Sequence, residues 1–232
     1  MNKTGFSAAQ LAAFIDHTLL KPDASLAQIE QLCAEARAHG FFAVCVNGSW
    51  VAAARHFLDG SEVKVVSVVG FPLGAMASDV KRFETETAID DGAQEIDMVL
   101  NLARLKAGDI NAVGREIADV VEAADERPVK VILETCLLTE AEKIRACHLA
   151  VAGGAHFVKT STGFSTGGAT VADVKLLCET VSETDGIKFG VKASGGIRDT
   201  AAALAMIAAG ATRLGTSAGV AILQGLAGGE AD

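Results

Sequence analysis

Two lysines stand inside stretches that otherwise read as buried strands: Lys159 in F-V-K-T-S-T-G-F (157–164) and Lys192 in F-G-V-K-A-S-G-G-I-R (189–198). A long cationic side chain in an apolar β segment is costly unless a site needs it. Two cations set close together disfavour each other's charge. A lysine that loses its proton becomes an amine nucleophile, able to attack a carbonyl and form a Schiff base. Lysine-dependent aldol chemistry is the hypothesis these residues raise first.

Strand alternation adds partners. In E-I-D-M-V-L-N (95–101) it sends Ile96, Met98 and Leu100 to one face and Glu95, Asp97, Val99 and Asn101 to the other. By the same rule Phe157, Lys159 and Ser161 share a face, as do Lys192 and Ser194, and Lys130 and Glu134 in V-K-V-I-L-E (129–134). Closed into a barrel, these strands deliver Asp97, Lys130, Lys159 and Lys192 to the bore, toward the C-terminal strand ends where barrel active sites lie. Any one lysine at a strand end is ordinarily a solvated side chain or half of an ion pair. Four ionisable groups converging in one bore call for more, with a structural ion-pair network as the alternative.

A second constellation is rich in glycine. A-S-G-G-I-R (193–198) follows one of these strands and L-G-T-S-A-G (214–219) the next. Backbone N–H groups at such turns and at helix N-termini hold phosphate well, and phosphate sites after strands seven and eight recur in α/β barrels. Taken singly, such glycines would only make tight turns. S-T-G-F-S-T-G-G-A-T (161–170) leads out of the Lys159 strand and places Thr162 and Gly163 to meet a substrate near its phosphate or a hydroxyl.

The elements that must position these residues repeat along the chain. Helical patterns end in glycine at Gly40, Gly92, Gly154 and Gly210, and the next strand begins at once. Eight strands are expected: 15–20, 42–47, 63–70, 95–101, 129–135, 156–161, 189–194 and 212–217. The helices between them open with capping signals: Ser25 before Gln28, Thr139 before Glu142, Thr170 before Asp173, and Asp199. Ser7 and Gln10 start a short helix ahead of the first strand. This alternation predicts an α/β fold, a (β/α)8 TIM barrel forming a single domain over residues 1–232 with a short N-terminal helix. A doubly wound open sheet is the alternative, but no G-x-G-x-x-G follows the first strand.

Composition agrees with a packed globular chain: 232 residues, 50% hydrophobic and 21% charged. A net charge of −9 gives nucleic-acid binding little support. Cys33, Cys45, Cys136, Cys147 and Cys178 form no C-x-x-C pair and lie in apolar segments, so they read as reduced core or lining thiols. His17, His39, His56, His148 and His156 show no metal-ligand spacing with carboxylates, and no metal is expected. The N-terminus lacks the apolar core of a signal peptide. The longest strongly apolar run, Ala201–Ala209, is far shorter than the roughly 20 residues of a spanning helix. A cytoplasmic location without membrane contact is expected.

Five segments, in order, resemble the deoxyribose-phosphate aldolase family: I-D-H-T-L-L-K-P, V-G-F-P-L-G, E-I-D-M-V-L-N, F-V-K-T-S-T-G-F and V-K-A-S-G-G-I-R. The likeness runs from about residue 14 to 220. It implies a class I aldolase on a TIM barrel, reversibly cleaving 2-deoxy-D-ribose 5-phosphate to D-glyceraldehyde 3-phosphate and acetaldehyde without metal or other cofactor. Carried across by motif, Lys159 would form the Schiff base. Lys192 would lower its pKa and relay protons, and Asp97 would relay protons through a water. Gly195, Gly196, Ser217 and Ala218 would bind phosphate, while Asp16, Thr18, Leu20 and Cys45 would line the pocket. Lys130 and Glu134 would support the site as an ion pair or touch substrate. Partners would be sugar phosphates and aldehydes, and family habit implies a range from monomer to tetramer with homodimers common. Two departures stand out: the chain has no tyrosine, where some members end in one that assists proton transfer, and Phe164 stands where other members carry lysine. Rival functions are another class I sugar-phosphate aldolase, a non-catalytic sugar-phosphate-binding barrel, and an isomerase barrel with a carboxylate base.

Overall fold

The computed structural model describes residues 6–182 and 189–228. Eight strands, β1 (Ile15–Leu19), β2 (Ala43–Val46), β3 (Lys64–Val69), β4 (Glu95–Val99), β5 (Val129–Ile132), β6 (Phe157–Lys159), β7 (Gly190–Ser194) and β8 (Arg213–Thr216), run parallel in sequence order. They close into a barrel where β8 pairs with β1. Helix α1 (Ala8–Ala12) precedes β1. Helices α2 (Leu26–His39), α3 (Val51–Phe57), α4 (Ser78–Asp90), α5 (Leu102–Lys106), α6 (Ile110–Ala123), α7 (Glu140–Ala152), α8 (Val171–Ser182), α9 (Thr200–Ala208) and α10 (Gly219–Gly228) follow the strands in order. The fold is the expected TIM barrel, with all eight strands present and each shorter than its sequence pattern.

The capping signals act as their chemistry dictates. Ser7 and Gln10, Ser25 and Gln28, and Thr139 and Glu142 form reciprocal capping boxes at the starts of α1, α2 and α7. The Asp199 carboxylate accepts from Ala202 N–H at 2.8 Å and starts α9. At the other end of α2, Gly40 adopts the left-handed conformation (φ 65°) that releases the chain into β2.

Alternation along each strand divides the side chains between two cores. Outward residues such as Val44, Ile96, Met98, Val131, Val158 and Leu214 are buried against the helices. Each such side chain contributes roughly 1.5–3 kcal/mol by leaving water. Inside the barrel, β1–β3 supply a small apolar group of Leu20, Ala43, Cys45, Val66 and Val68. The rest of the bore holds the charged residues, with Val99 and Ile132 beside them, and a barrel filled for stability alone would avoid those charges. Among the described residues, no helix is long and apolar enough to cross a membrane.

Candidate active site

Parallel register places the charged residues side by side. Asp97 on β4 is opposite Lys130 on β5, Lys159 on β6 opposite Lys192 on β7, and Lys192 opposite Arg213 on β8. All five are at least nine-tenths buried. Lys159 Nζ and Lys192 Nζ each donate to the same oxygen, Asp97 Oδ2, at 2.8 Å. Lys130 Nζ lies 3.0 Å from the other oxygen, Oδ1, an ion contact without hydrogen-bond geometry. Burial pushes the Asp97 carboxyl up, but the charges of Lys130, Lys159 and Lys192 more than reverse that and hold it well below the ordinary carboxylate value. Asp97 therefore stays an anion and fixes the positions of two lysine nitrogens.

Lys192 is held charged. Burial pulls its ammonium down, yet the charges of Asp16 and Asp97 outweigh the loss of water and raise it above the ordinary lysine value. It donates to Asp16 as well as to Asp97. Gly215 makes room for it: a Cβ there would sit 3.0 Å from Lys192 Cε and from Ser194 Cβ. The ends of β6 and β7 are tied together by Ser194 N–H donating to Thr160 Oγ1 at 3.0 Å and by Ser194 Oγ donating to Ser161 O at 2.5 Å.

Above this cluster opens a cavity of about 240 Å³ at the C-terminal end of the barrel. Thr18, Leu20, Lys159, Thr162, Gly163, Gly195, Gly196 and Ser217 line it, as the sequence suggested. Of the buried ionised groups in the bore, Lys159 is the one that reaches its wall; Asp97, Lys130 and Lys192 lie behind. Lys21 and Arg198 add two cations to the lining that the sequence analysis did not single out, although Arg198 closes the A-S-G-G-I-R segment. The glycine loops meet one another closely. A Cβ on Gly168 would fall 2.2 Å from the Gly195 carbonyl oxygen, so only glycine permits this approach.

Five expectations need correction. Asp16 does not line the cavity: it is fully buried and pairs with Lys192 and, at 2.8 Å, with Arg213. Cys45 is likewise sealed in the apolar group of the bore, where burial pushes its thiol up. Ala218 is absent from the cavity wall, and its N–H donates to Thr216 Oγ1 at 2.9 Å, so that donor is already engaged. Lys130 and Glu134 form no pair. Lys130 binds Glu95 Oε2 at 2.5 Å, and Glu134 turns away in a left-handed backbone (φ 54°) just past the end of β5. Alternation no longer governs Glu134 once the strand has ended. Its carboxylate instead accepts from the Thr162 N–H at 3.2 Å and from the Thr162 hydroxyl, holding the loop that follows Lys159. Among the thiols, Cys136 is exposed rather than core or lining.

Comparison with known proteins assigns this arrangement. The model of the DeoC/LacD family aldolases matches residues 10–225. The chain belongs to the DeoC/LacD aldolase family. It is 59% identical over 216 residues to the deoxyribose-phosphate aldolase of Streptococcus pneumoniae serotype 19F (strain G54), covering 93% of this chain and 96% of the relative. It is 59% identical over 212 residues to that of Streptococcus uberis (strain ATCC BAA-854 / 0140J), covering 91% and 94%. A deoxyribose phosphate aldolase from Aeropyrum pernix, described as having a unique tetrameric structure, superposes with a TM-score of 0.87 at 35% identity, covering 94% of this chain and 91% of that one. As a DeoC/LacD aldolase the chain is a carbon–carbon lyase.

Proposed function

We propose that this aldolase reversibly cleaves 2-deoxy-D-ribose 5-phosphate to D-glyceraldehyde 3-phosphate and acetaldehyde, with Lys159 as the Schiff-base nucleophile. The observation that carries the assignment is that Lys159 alone links the buried charge cluster to the cavity wall. Lys159 as a free amine attacks C1 of the open-chain sugar, and loss of water from the carbinolamine leaves an iminium. A water relaying to Asp97 takes the C3-hydroxyl proton as the C2–C3 bond breaks. Its electron pair flows into the iminium to give an enamine, while C3 becomes the aldehyde of the leaving triose phosphate. Protonation of the enamine carbon and hydrolysis release acetaldehyde and restore Lys159.

Asp97 also acts through Lys159, as an anion 2.8 Å from the nitrogen that carries positive charge in the iminium. Lys192 supplies a fixed positive charge beside that nitrogen. The N–H groups of the Gly195–Gly196 and Ser217 turns, with Lys21 and Arg198 at the same wall, form the phosphate end of the cavity. Action in the cytoplasm as a homo-oligomer belongs to the same proposal. The tetrameric description of the Aeropyrum relative supports the assembly.

Borohydride reduction in the presence of 2-deoxyribose 5-phosphate, followed by peptide mass mapping, tests the assignment. A reduced adduct on Lys159 is the expected result. An adduct on Lys192 or Lys130 would reassign the nucleophile, and no adduct on the folded protein would overturn the mechanism.

A further inference from the structure

Among the described residues, seven ionisable side chains meet in the bore, and six of them form a closed ring. Asp97 Oδ2 accepts from Lys192 at 2.8 Å, and Lys192 pairs in turn with Asp16. Asp16 Oδ1 accepts from the Arg213 guanidinium at 2.8 Å, and Arg213 reaches Glu95 at 3.3 and 3.4 Å. Glu95 accepts from Lys130 at 2.5 Å, and Lys130 returns to Asp97 at 3.0 Å. Cations and anions alternate around the ring, three of each, so its formal charge is zero. The seventh group, Lys159, hangs on Asp97 outside the ring.

A surplus buried cation lacks a counter-ion of its own, and shedding a proton relieves it at least cost. Lys159 is that surplus only while the ring is complete. Arg213 completes it, because without its charge Asp16 and Glu95 would leave the ring with one negative charge in excess. We propose that Arg213 is a positioning residue for the reaction: by balancing the ring, it leaves Lys159 as the unmatched cation and so releases it as the free amine. This rests on the Schiff-base function proposed above and names a further residue on which it depends.

The choice of side chain and its surroundings fit the role. A guanidinium keeps its proton where a lysine could give one up. Arg213 is also clamped: its guanidinium carbon lies 3.5 Å from the centre of the Phe42 ring and 5.7 Å from that of Phe157. Of the other strands, β3 carries Lys64 on its bore-facing side, half-buried at the strand's N-terminal end and paired with none of the seven groups. β2 presents the Cys45 thiol, which burial pushes up and so keeps neutral, and β3 presents Val66 and Val68. Beyond the end of β5, Glu134 is engaged with Thr162.

The test is the pH dependence of borohydride trapping at Lys159 with 2-deoxyribose 5-phosphate on the full chain, with circular dichroism and thermal unfolding as controls for folding. Arg213→Met gives the ring a net negative charge, so Lys159 keeps its proton as the counter-ion. The rise of trapping with pH should move upward by about one unit, a roughly tenfold loss on the acid side of the rise. Glu95→Gln should move it the other way, and the charge-balanced double variant Arg213→Met/Glu95→Gln should return it toward the wild-type position. An Arg213→Met profile that coincides with wild type, or a double variant displaced as far as Arg213→Met, would overturn the proposal. If Arg213→Met does not fold, Glu95→Gln decides alone: a move to lower pH supports the ring, and no move or an upward one refutes it. A wild-type protein that traps no adduct at any pH would bring down the Schiff-base mechanism itself, whereas a wild-type adduct with unmoved variant profiles brings down only the role of Arg213.

Discussion

Lys159 and Lys192 donate to one and the same carboxylate oxygen, each 2.8 Å from Asp97 Oδ2. The parallel register makes this unavoidable: the two lysines are direct partners across β6 and β7, and both point into the bore toward β4. Equivalent contacts lead to unequal roles because the surroundings differ. Lys192 has a second carboxylate, Asp16, and is sealed from solvent. Lys159 has Asp97 and an open side on the cavity. One lysine is sealed and held charged; the other opens on the cavity.

Replacing Lys159 by leucine should separate activity from stability. The substitution removes the one cation outside the balanced ring, so no carboxylate is left without a partner. Turnover should fall on the order of 10⁴-fold or more, as when a covalent nucleophile is lost, while the midpoint of thermal unfolding stays level or rises. A steady-state assay of deoxyribose 5-phosphate cleavage beside a calorimetric scan checks both, and a large drop in the unfolding midpoint would show that Lys159 is structural.

Asp97→Asn should do the reverse and damage both. Three lysine nitrogens converge on this carboxylate, and an amide leaves buried positive charge uncompensated, at a cost of about 3–5 kcal/mol. The pH dependence carries a signature. Asp16 and Asp97 are both held below their ordinary values in the folded chain, burial opposing and the surrounding cations prevailing. An unfolded carboxyl titrates near 4, so their stabilisation is complete above that pH and is lost as pH falls toward the folded values. Urea midpoints measured from pH 7 down to pH 3 should drop steeply below about pH 4 in the wild type and less steeply in Asp97→Asn. Parallel curves would argue against the assignment.

The barrel was legible because its signals repeat: most strands are apolar runs, and capping residues open α1, α2, α7 and α9. Lys159, Lys192 and Asp97 were legible because a charge in such a run breaks the pattern. Arg213 breaks it too, in T-R-L-G-T-S, and alternation with Gly215 would have turned it inward; the glycines of that segment drew attention to phosphate instead. The Lys130–Glu134 pairing failed because β5 ends at Ile132. Neither the sealed positions of Asp16 and Cys45 nor the Lys81–Glu116 pair between α4 and α6 could be read from local pattern, since each depends on which distant elements pack together.

Phe164 offers a test of how the phosphate end is read. Its ring lines the cavity mouth, is 52% exposed, and meets Phe71 edge-on with centroids 5.3 Å apart. Phe164→Lys would add a cation to a wall that already holds Lys21 and Arg198. A rim charge in water is worth up to about 1 kcal/mol, so kcat/KM for the phosphorylated sugar should rise by up to about fivefold. The value for 2-deoxyribose itself should stay level, and the gain should fade as salt is added. Equal gains on both substrates would place the phosphate elsewhere.

The Lys81–Glu116 pair predicts a non-additive stability cycle. Lys81 Nζ is fully buried, donating to Glu116 Oε1 at 2.6 Å and to the Val99 carbonyl at 2.8 Å, two residues beyond Asp97 on the same strand. Burial pulls the Lys81 ammonium down and pushes the Glu116 carboxyl up, so each ion depends on the other. Lys81→Met strands Glu116 and should cost about 3–5 kcal/mol at neutral pH, whereas Lys81→Met/Glu116→Leu should recover most of that loss. The sign with pH follows from the stranded acid. Its folded value lies above the unfolded one, so its penalty is full at high pH and shrinks as protonation neutralises it. Urea unfolding at pH 8 and pH 5 should therefore show a smaller deficit for Lys81→Met at the lower pH. A double variant as unstable as the two single losses added together would mean that the two residues act independently.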